Sequence, residues 1–316
     1  KIFIKLAKIF GFEIIDQNNF TSPTLEKELN EDLSIINEKS IILPLGEVKI
    51  TRKVNSILII VRMNTEIEIW DQNKKRLFEY PKIEYSVRSI NSLIKAIDFC
   101  QVKYPKLRIK TIIIEDHSSN ENLHKIKKLI SGKNIDILPL NHKKFEALIE
   151  AQKSKETFSN LASLFQSFQI GKEKGSDLIF FVEDDYLHLE HMLEEMVASY
   201  ERIASQIGKD IFMCPSYYPY LYMNNVKTNI LIGNKRHWRT INKTLCTFLT
   251  SKNLLDNYWQ KFEKTCVNRH DPFEKYLNEI YQKEICISPL KSLSLHLTNI
   301  NSSYGLAPFI DYKKLW

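Results

Sequence analysis

Three short apolar runs constrain this chain more than any other feature. They are SILIIV (Ser56–Val61), KTIIIEDHSS (Lys110–Ser119) and DLIFFVEDD (Asp177–Asp185), each without polar alternation over its apolar part. A strand with no polar face must be covered on both sides, which a parallel sheet between helical layers provides. The segments between supply the helices. Val87, Ile90, Leu93, Ile94 and Ile97 recur at helical spacing, as do Phe158, Leu161, Phe165 and Phe168, and then Leu189, Leu193, Met196, Tyr200, Ile203 and Ile207. A further helix carries Leu123, Ile126, Leu129 and Ile130, and IDILPL (Ile135–Leu140) predicts another short strand. Such alternation defines an α/β fold with a mainly parallel central sheet and flanking helices.

Three regions follow. Residues 1–50 read as a helical extension with a helix start at Ser22-Pro23, and 51–210 as the α/β region. Residues 211–316 differ in texture, a second lobe built onto the sheet. This lobe holds the aromatic segment CPSYYPYLYM, the basic loop GNKRHWRT, a helix over Leu254–Phe262, another through Phe273–Tyr281, and an extended stretch, ISPLKSLSLHLTN.

Only 8 of the 316 residues are glycine, and none forms a G-x-G-x-x-G or G-x-x-x-x-G-K-[ST] cradle. A dinucleotide dehydrogenase and a P-loop NTPase are therefore excluded as expectations. The net charge of +7 is spread along the chain, with no block that would serve nucleic acid. Five cysteines without CxxC spacing argue against a disulfide framework and point to the cytoplasm. No apolar run approaches the ~20 residues of a membrane span. The opening KIFIKLAKIF gathers Lys1, Lys5 and Lys8 on one helical face, so residues 1–10 either touch the inner membrane surface peripherally or pack on their own domain.

Acids stand where ligands bind in an open parallel sheet, beyond the strands' C-terminal ends. Glu183, Asp184 and Asp185 are adjacent, and mutual repulsion favours either proton uptake or a hard cation such as Mg²⁺ or Mn²⁺. The alternative is a solvated turn in which Asp185 caps the next helix. Glu115-Asp116 is open to the same two readings, because His117-Ser118-Ser119-Asn120 is rich in cap formers.

SILIIVRMNTE, IKTIIIEDHSS and GSDLIFFVEDDYLHLEHM, in this order, resemble three landmarks of family-2-like, GT-A-fold (Rossmann-like) glycosyltransferases, over about residues 55–205. The resemblance implies a nucleotide-sugar enzyme whose C-terminal lobe binds the acceptor. It implies donor binding by Arg62, Glu115, Asp116 and Asp184, with Asp116 at the base or ribose, and a metal held by Asp185 with Glu183 in place of the motif's first Asp. It also implies a C-terminal histidine on the metal, for which His296 is the match. Ser167 stands where the family often has Asn, and an insertion over 67–83 separates the first strand from its helix. His270-Asp271-Pro272-Phe273-Glu274 resembles the family's acidic motif, making Asp271 and Glu274 the catalytic candidates; the same residues also read as a capping box, with Asp271 the N-cap.

Arg236, His237 and Arg239 around Trp238 form either a mobile loop over the donor diphosphate or an exposed basic turn. Tyr217, Tyr218 and Trp238 are candidates for the acceptor cleft, with Tyr220 and Tyr222 beside them. The expectation is thus a metal-dependent, inverting transferase moving a sugar from a UDP, GDP or CMP donor to a glycan or lipid-linked acceptor in surface-glycan assembly. The rivals are a nucleotidyltransferase of similar fold and a non-catalytic partner protein.

Overall fold

Strand β1, Ser56–Met63, lies inside the sheet between two other strands and shows why its sequence lacks a polar face. Ile57, Ile59, Val61 and Met63 point into one apolar layer, Leu58 and Ile60 into the other. The computed structural model describes residues 2–12, 49–66, 76–152, 154–223, 227–298, 300 and 302–316. These fall into two units, Lys1–Thr51 and Arg52–Trp316. In the first, helix α1 covers Ile2–Ile9; the Ser22-Pro23 helix start lies outside the described residues, as does 67–75 of the insertion.

In the second unit, β1 pairs in parallel with β2 (Arg108–Glu115) and β4 (Leu178–Glu183), and β2 with β3 (Ile135–Pro139). Further along come β5 (Tyr186–His188), β6 (Phe212–Met213), β7 (Ile230–Ile232), β8 (His237–Ile241), β9 (Phe248–Ser251), β10 (Cys286–Pro289) and β11 (Ser294–His296). The described residues form a nine-stranded sheet of order β3-β2-β1-β4-β9-β6-β10-β8-β7. Only β9 and β8 run against the other strands. The late chain therefore continues the sheet, as expected of a lobe built onto it. Strands β5 and β11 form a separate antiparallel ribbon.

Helices α2 (Lys82–Lys103), α3 (Asn120–Leu129) and α6 (Met192–Ile207) cover one face. On the other lie the short α4 (His142–Phe145) and the long α5 (Lys155–Lys174). They are joined by α8 (Lys252–Asn257), α9 (Trp259–Val267) and α10 (Lys275–Ile280), with α7 (Tyr220–Met223) beside them and α11 (Tyr312–Leu315) near the end of the chain.

Two expected helices are remade. The stretch Leu254–Phe262 breaks at Tyr258 (φ −107°, ψ 17°), whose hydroxyl reaches Glu284 at 2.6 Å. The capping box at Asp271 does not form: Lys275 N–H bonds the Pro272 carbonyl in a turn, and the N-cap is Glu274, without a side-chain bond. Glycine is placed where nothing larger serves. Gly208 ends α6 at φ +74°, and a Cβ on Gly233 would lie 2.3 Å from the Trp238 indole nitrogen.

Phe168 of α5 is fully buried, its ring edge-on to Phe181 (5.0 Å) and Phe262 (4.9 Å). Phe168→Ala should cost about 3–5 kcal/mol in urea unfolding. Arg52 pairs with Asp210, which also accepts from Tyr200, Ser251 and Asn253 at 3.0–3.1 Å. Burial alone would raise the Asp210 carboxyl, but the Asn253 bond, Arg52 and the two hydroxyls hold it below the ordinary value. Its stabilisation is therefore full above the unfolded value of about 3.9 and lost as pH falls through the lower folded value. Asp210→Asn should flatten that acid limb of the pH–stability curve.

Candidate functional site

The C-terminal ends of β1, β2 and β4 open into a cavity of about 410 Å³. Arg62 and Glu183 face each other there because β1 and β4 pair in that register. Beyond them the wall carries Asp116, Asp184 and Asp185 from the strand exits, and Asn160 and Ser163 from α5. His296 and Thr298 from the β11 arm, Glu274 before α10, and Tyr304 complete it.

Each acid of the Glu183–Asp185 triplet has its own partner. Arg62 donates to Glu183 at 2.6 Å and to Asn160 Oδ1 at 2.8 Å. Burial raises the Glu183 carboxyl, Arg62 opposes this, and the charge of Asp185 adds to the rise. Asp184 turns toward α2, where Lys82 donates at 2.6 Å and Ser86 also binds it. Asp185 Oδ2 accepts from Thr298 at 2.6 Å and lies 3.3 Å from His296 Nε2. Burial would raise this carboxyl too, but His296, Lys82 and Thr298 together carry it below the carboxylate range.

His296 itself is pushed up against its burial by Asp185, and it stacks on Tyr186 with ring centres 4.7 Å apart. Asp185 is no helix cap: β5 follows it, and the N-cap of α6 is His191. Its Oδ1, buried, finds no hydrogen-bond partner among the described residues. An orphaned oxygen on a buried carboxylate, whose other oxygen faces His296, fits a divalent cation.

Asp116, 4% exposed, also lines the cavity. Asn64 donates to its Oδ2 at 3.1 Å, while His117 Nδ1 (2.6 Å) and His142 Nε2 (3.1 Å) face its Oδ1. Ser119, not an acid, caps α3, and Glu115 accepts from the Ser118 amide away from the cavity lining.

Other sequence candidates lie elsewhere. Trp238 is fully buried in the core on strand β8, bonded to Ser199 Oγ at 3.0 Å, so it presents no ring to an acceptor. Arg239 is buried on the same strand, donating to Tyr217 OH (3.2 Å) and the Leu221 carbonyl (3.0 Å). Arg236 binds His191 at 2.7 Å. His237, Trp238 and Arg239 therefore lie on a strand held by β10 and β7 on its two sides, and Arg236 in the turn before it. Tyr217 and Asp271 are absent from the cavity wall, and Tyr218 stands behind Tyr304, bonded to Tyr186 at 2.7 Å. Sequence reading missed Lys82, Asn64, Asn160, Thr298 and Tyr304, which carry no motif.

No family model matches the chain, and no curated protein sequence matches it. Among solved structures, S. aureus TarS 1–349 is 11% identical over 76% of this chain and 59% of that one, with a TM-score of 0.44. The chain thus spans less than two thirds of that relative. A UDP-glucose pyrophosphorylase complexed with UDP-glucose is 8% identical over 77% and 93%, with a TM-score of 0.38. The galactosyltransferase LgtC, in complex with donor and acceptor sugar analogues, is 11% identical over 73% and 72%, also at 0.38. These are partial likenesses of fold.

Lys82 and Asp184 are each about one-tenth exposed. Lys82→Met should cost about 3 kcal/mol in urea unfolding, because it strips a mostly buried carboxylate of its cation. Converting Asp184 to Leu in the same chain should recover much of that loss.

Proposed function

We propose that this chain is a metal-dependent glycosyltransferase of GT-A type, moving a sugar from a nucleotide-sugar donor to an acceptor hydroxyl. One observation carries the reading. The cavity wall holds six carboxylates against four Arg and Lys side chains and His296, and the buried Asp185 Oδ1 within it has no partner among the described residues. An excess of acids disfavours a nucleoside diphosphate, a bound cation offsets that repulsion, and the chain has no glycine cradle to take its place.

In this reading Asp185 and His296 hold Mn²⁺ or Mg²⁺, with Glu183 engaged by Arg62 rather than free as a ligand. The cation supplies charge neutralisation for the departing diphosphate. Asp116, with Asn64 fixing one of its oxygens, meets the nucleoside. Asp184 keeps α2 against the strand exit through Lys82. Glu274, the member of the acidic pair that lines the cavity, takes the acceptor proton, which would make the reaction inverting. Tyr304 offers the aromatic face for a sugar ring. The donor classes are UDP, GDP and CMP sugars, and the acceptor is a glycan or lipid-linked glycan in surface-polysaccharide assembly at the cytoplasmic side. α1 would serve as the membrane-facing element there.

Thermal shift tests this directly. Mn²⁺ together with a UDP, GDP or CMP derivative should stabilise the wild type, by about 2.7 kcal/mol at a hundredfold excess over Kd. Asp185→Asn should abolish the stabilisation, and nucleotide alone should give little. NTP consumption with pyrophosphate release would instead establish a nucleotidyltransferase, and absence of nucleotide binding would overturn the reading and favour a non-catalytic protein.

A further inference from the structure

Among the described residues, three metal-ligating atoms of His, Cys, Asp or Glu converge at one place, and it is not the Glu183–Asp185 turn. They belong to Asp116, His117 and His142, and lie within 4.8 Å of one another. We propose that these side chains form a second cation site, selective for a borderline transition metal of the zinc class and independent of Asp185.

The backbone builds the convergence from separate elements. β2 ends at Glu115, and two residues on His117 adopts the left-handed conformation (φ 58°), uncommon for a residue with a side chain. That turn brings Nδ1 of His117 to 2.6 Å from the Oδ1 of its own neighbour, Asp116. His142 opens α4 after β3, and its Nε2 reaches the same oxygen at 3.1 Å. The two rings are 4.6 Å apart.

Ligands at about 2.0–2.1 Å around a tetrahedral Zn²⁺ stand roughly 3.3 Å from one another. The His142 distance is already near that value, while His117 stands at hydrogen-bond distance, so an ion would replace that bond as the exposed His117 ring swings outward. Ser159 Oγ, 2.8 Å from His142 Nε2, or a water would complete the set. Asn64 holds the second oxygen of Asp116, an outer contact of the kind that orients a ligating carboxylate.

The donor set also decides the kind of ion. Mg²⁺ and Ca²⁺ favour oxygen ligands, whereas two imidazoles with one carboxylate suit Zn²⁺, Co²⁺ or Ni²⁺. The His117 side chain is 71% exposed, giving the ion an entry path from solvent. Asp116 lines the cavity while neither histidine does, so the ion would stand at the rim.

The test uses full-length, tag-free protein and Co²⁺ and Zn²⁺ as probes. One equivalent of Co²⁺ should bind with visible d–d absorption and without sulfur charge-transfer bands, since all five cysteines are buried and the site contains none. Zn²⁺ affinity, measured by competition with a chromophoric chelator, should fall at least tenfold in His117→Ala and in His142→Ala, both checked for folding by circular dichroism. Asp185→Asn should retain the Co²⁺ spectrum. Absence of stoichiometric binding to the wild type would overturn the proposal and leave the cluster a hydrogen-bonded triad. Binding that survives both histidine changes but is lost in Asp185→Asn would equally overturn it, placing the ion at the other site. Asp116 is shared with the proposed nucleoside contact, but the histidine changes leave it in place, so Mn²⁺-dependent nucleotide binding is read separately and either assignment can fail without the other.

Discussion

Burial of β1 on both faces is the constraint from which the rest of the structure follows. Its side chains alternate between two apolar layers, so neither helical layer can be removed without exposing the central strand. A strand so enclosed can meet water only at its ends. Polar chemistry is therefore driven to the strand exits, where Arg62, Asp116 and the Glu183–Asp185 triplet gather around one cavity. The arrangement converts hydrophobic burial into placement of charge.

Charge compensation at that edge is more distributed than the carboxylate triplet alone suggests. Repulsion among adjacent acids can be relieved by a bound cation, but here Arg62, Lys82 and His296 each take one of them. What remains for a ligand is narrower: one oxygen of Asp185 and the space in front of it. The opposed displacements of Glu183 and Asp185, one carboxyl raised and the other lowered, express the same division of labour.

Strands β1, β2 and β4 were legible because each contains a continuous apolar run, and β3 because its short IDILPL stretch follows a helical segment. The acids were legible because they end those runs. Partners were not. Lys82, Asn160 and Thr298 are ordinary polar residues whose value arises from where three distant segments meet, and no local pattern encodes that meeting. Trp238 and Arg239 mislead for the opposite reason. An aromatic-basic cluster resembles a surface loop, yet pairing to β10 and β7 on either side makes it a buried strand. The tyrosines divide similarly, with Tyr304 at the cavity and Tyr218 one layer behind.

The ribbon of β5 and β11 ties the acid triplet to the late chain. Asp185 and Thr298 are 113 positions apart, and the ribbon pairing sets His296 opposite Tyr186. Because a ribosome delivers the chain from its N-terminus, the sheet exits and most of the cavity wall emerge well before the arm that completes them. A nascent polypeptide would carry the acids but not His296 or Thr298. The surroundings of Asp185 are therefore finished only when both ends of this long loop have met.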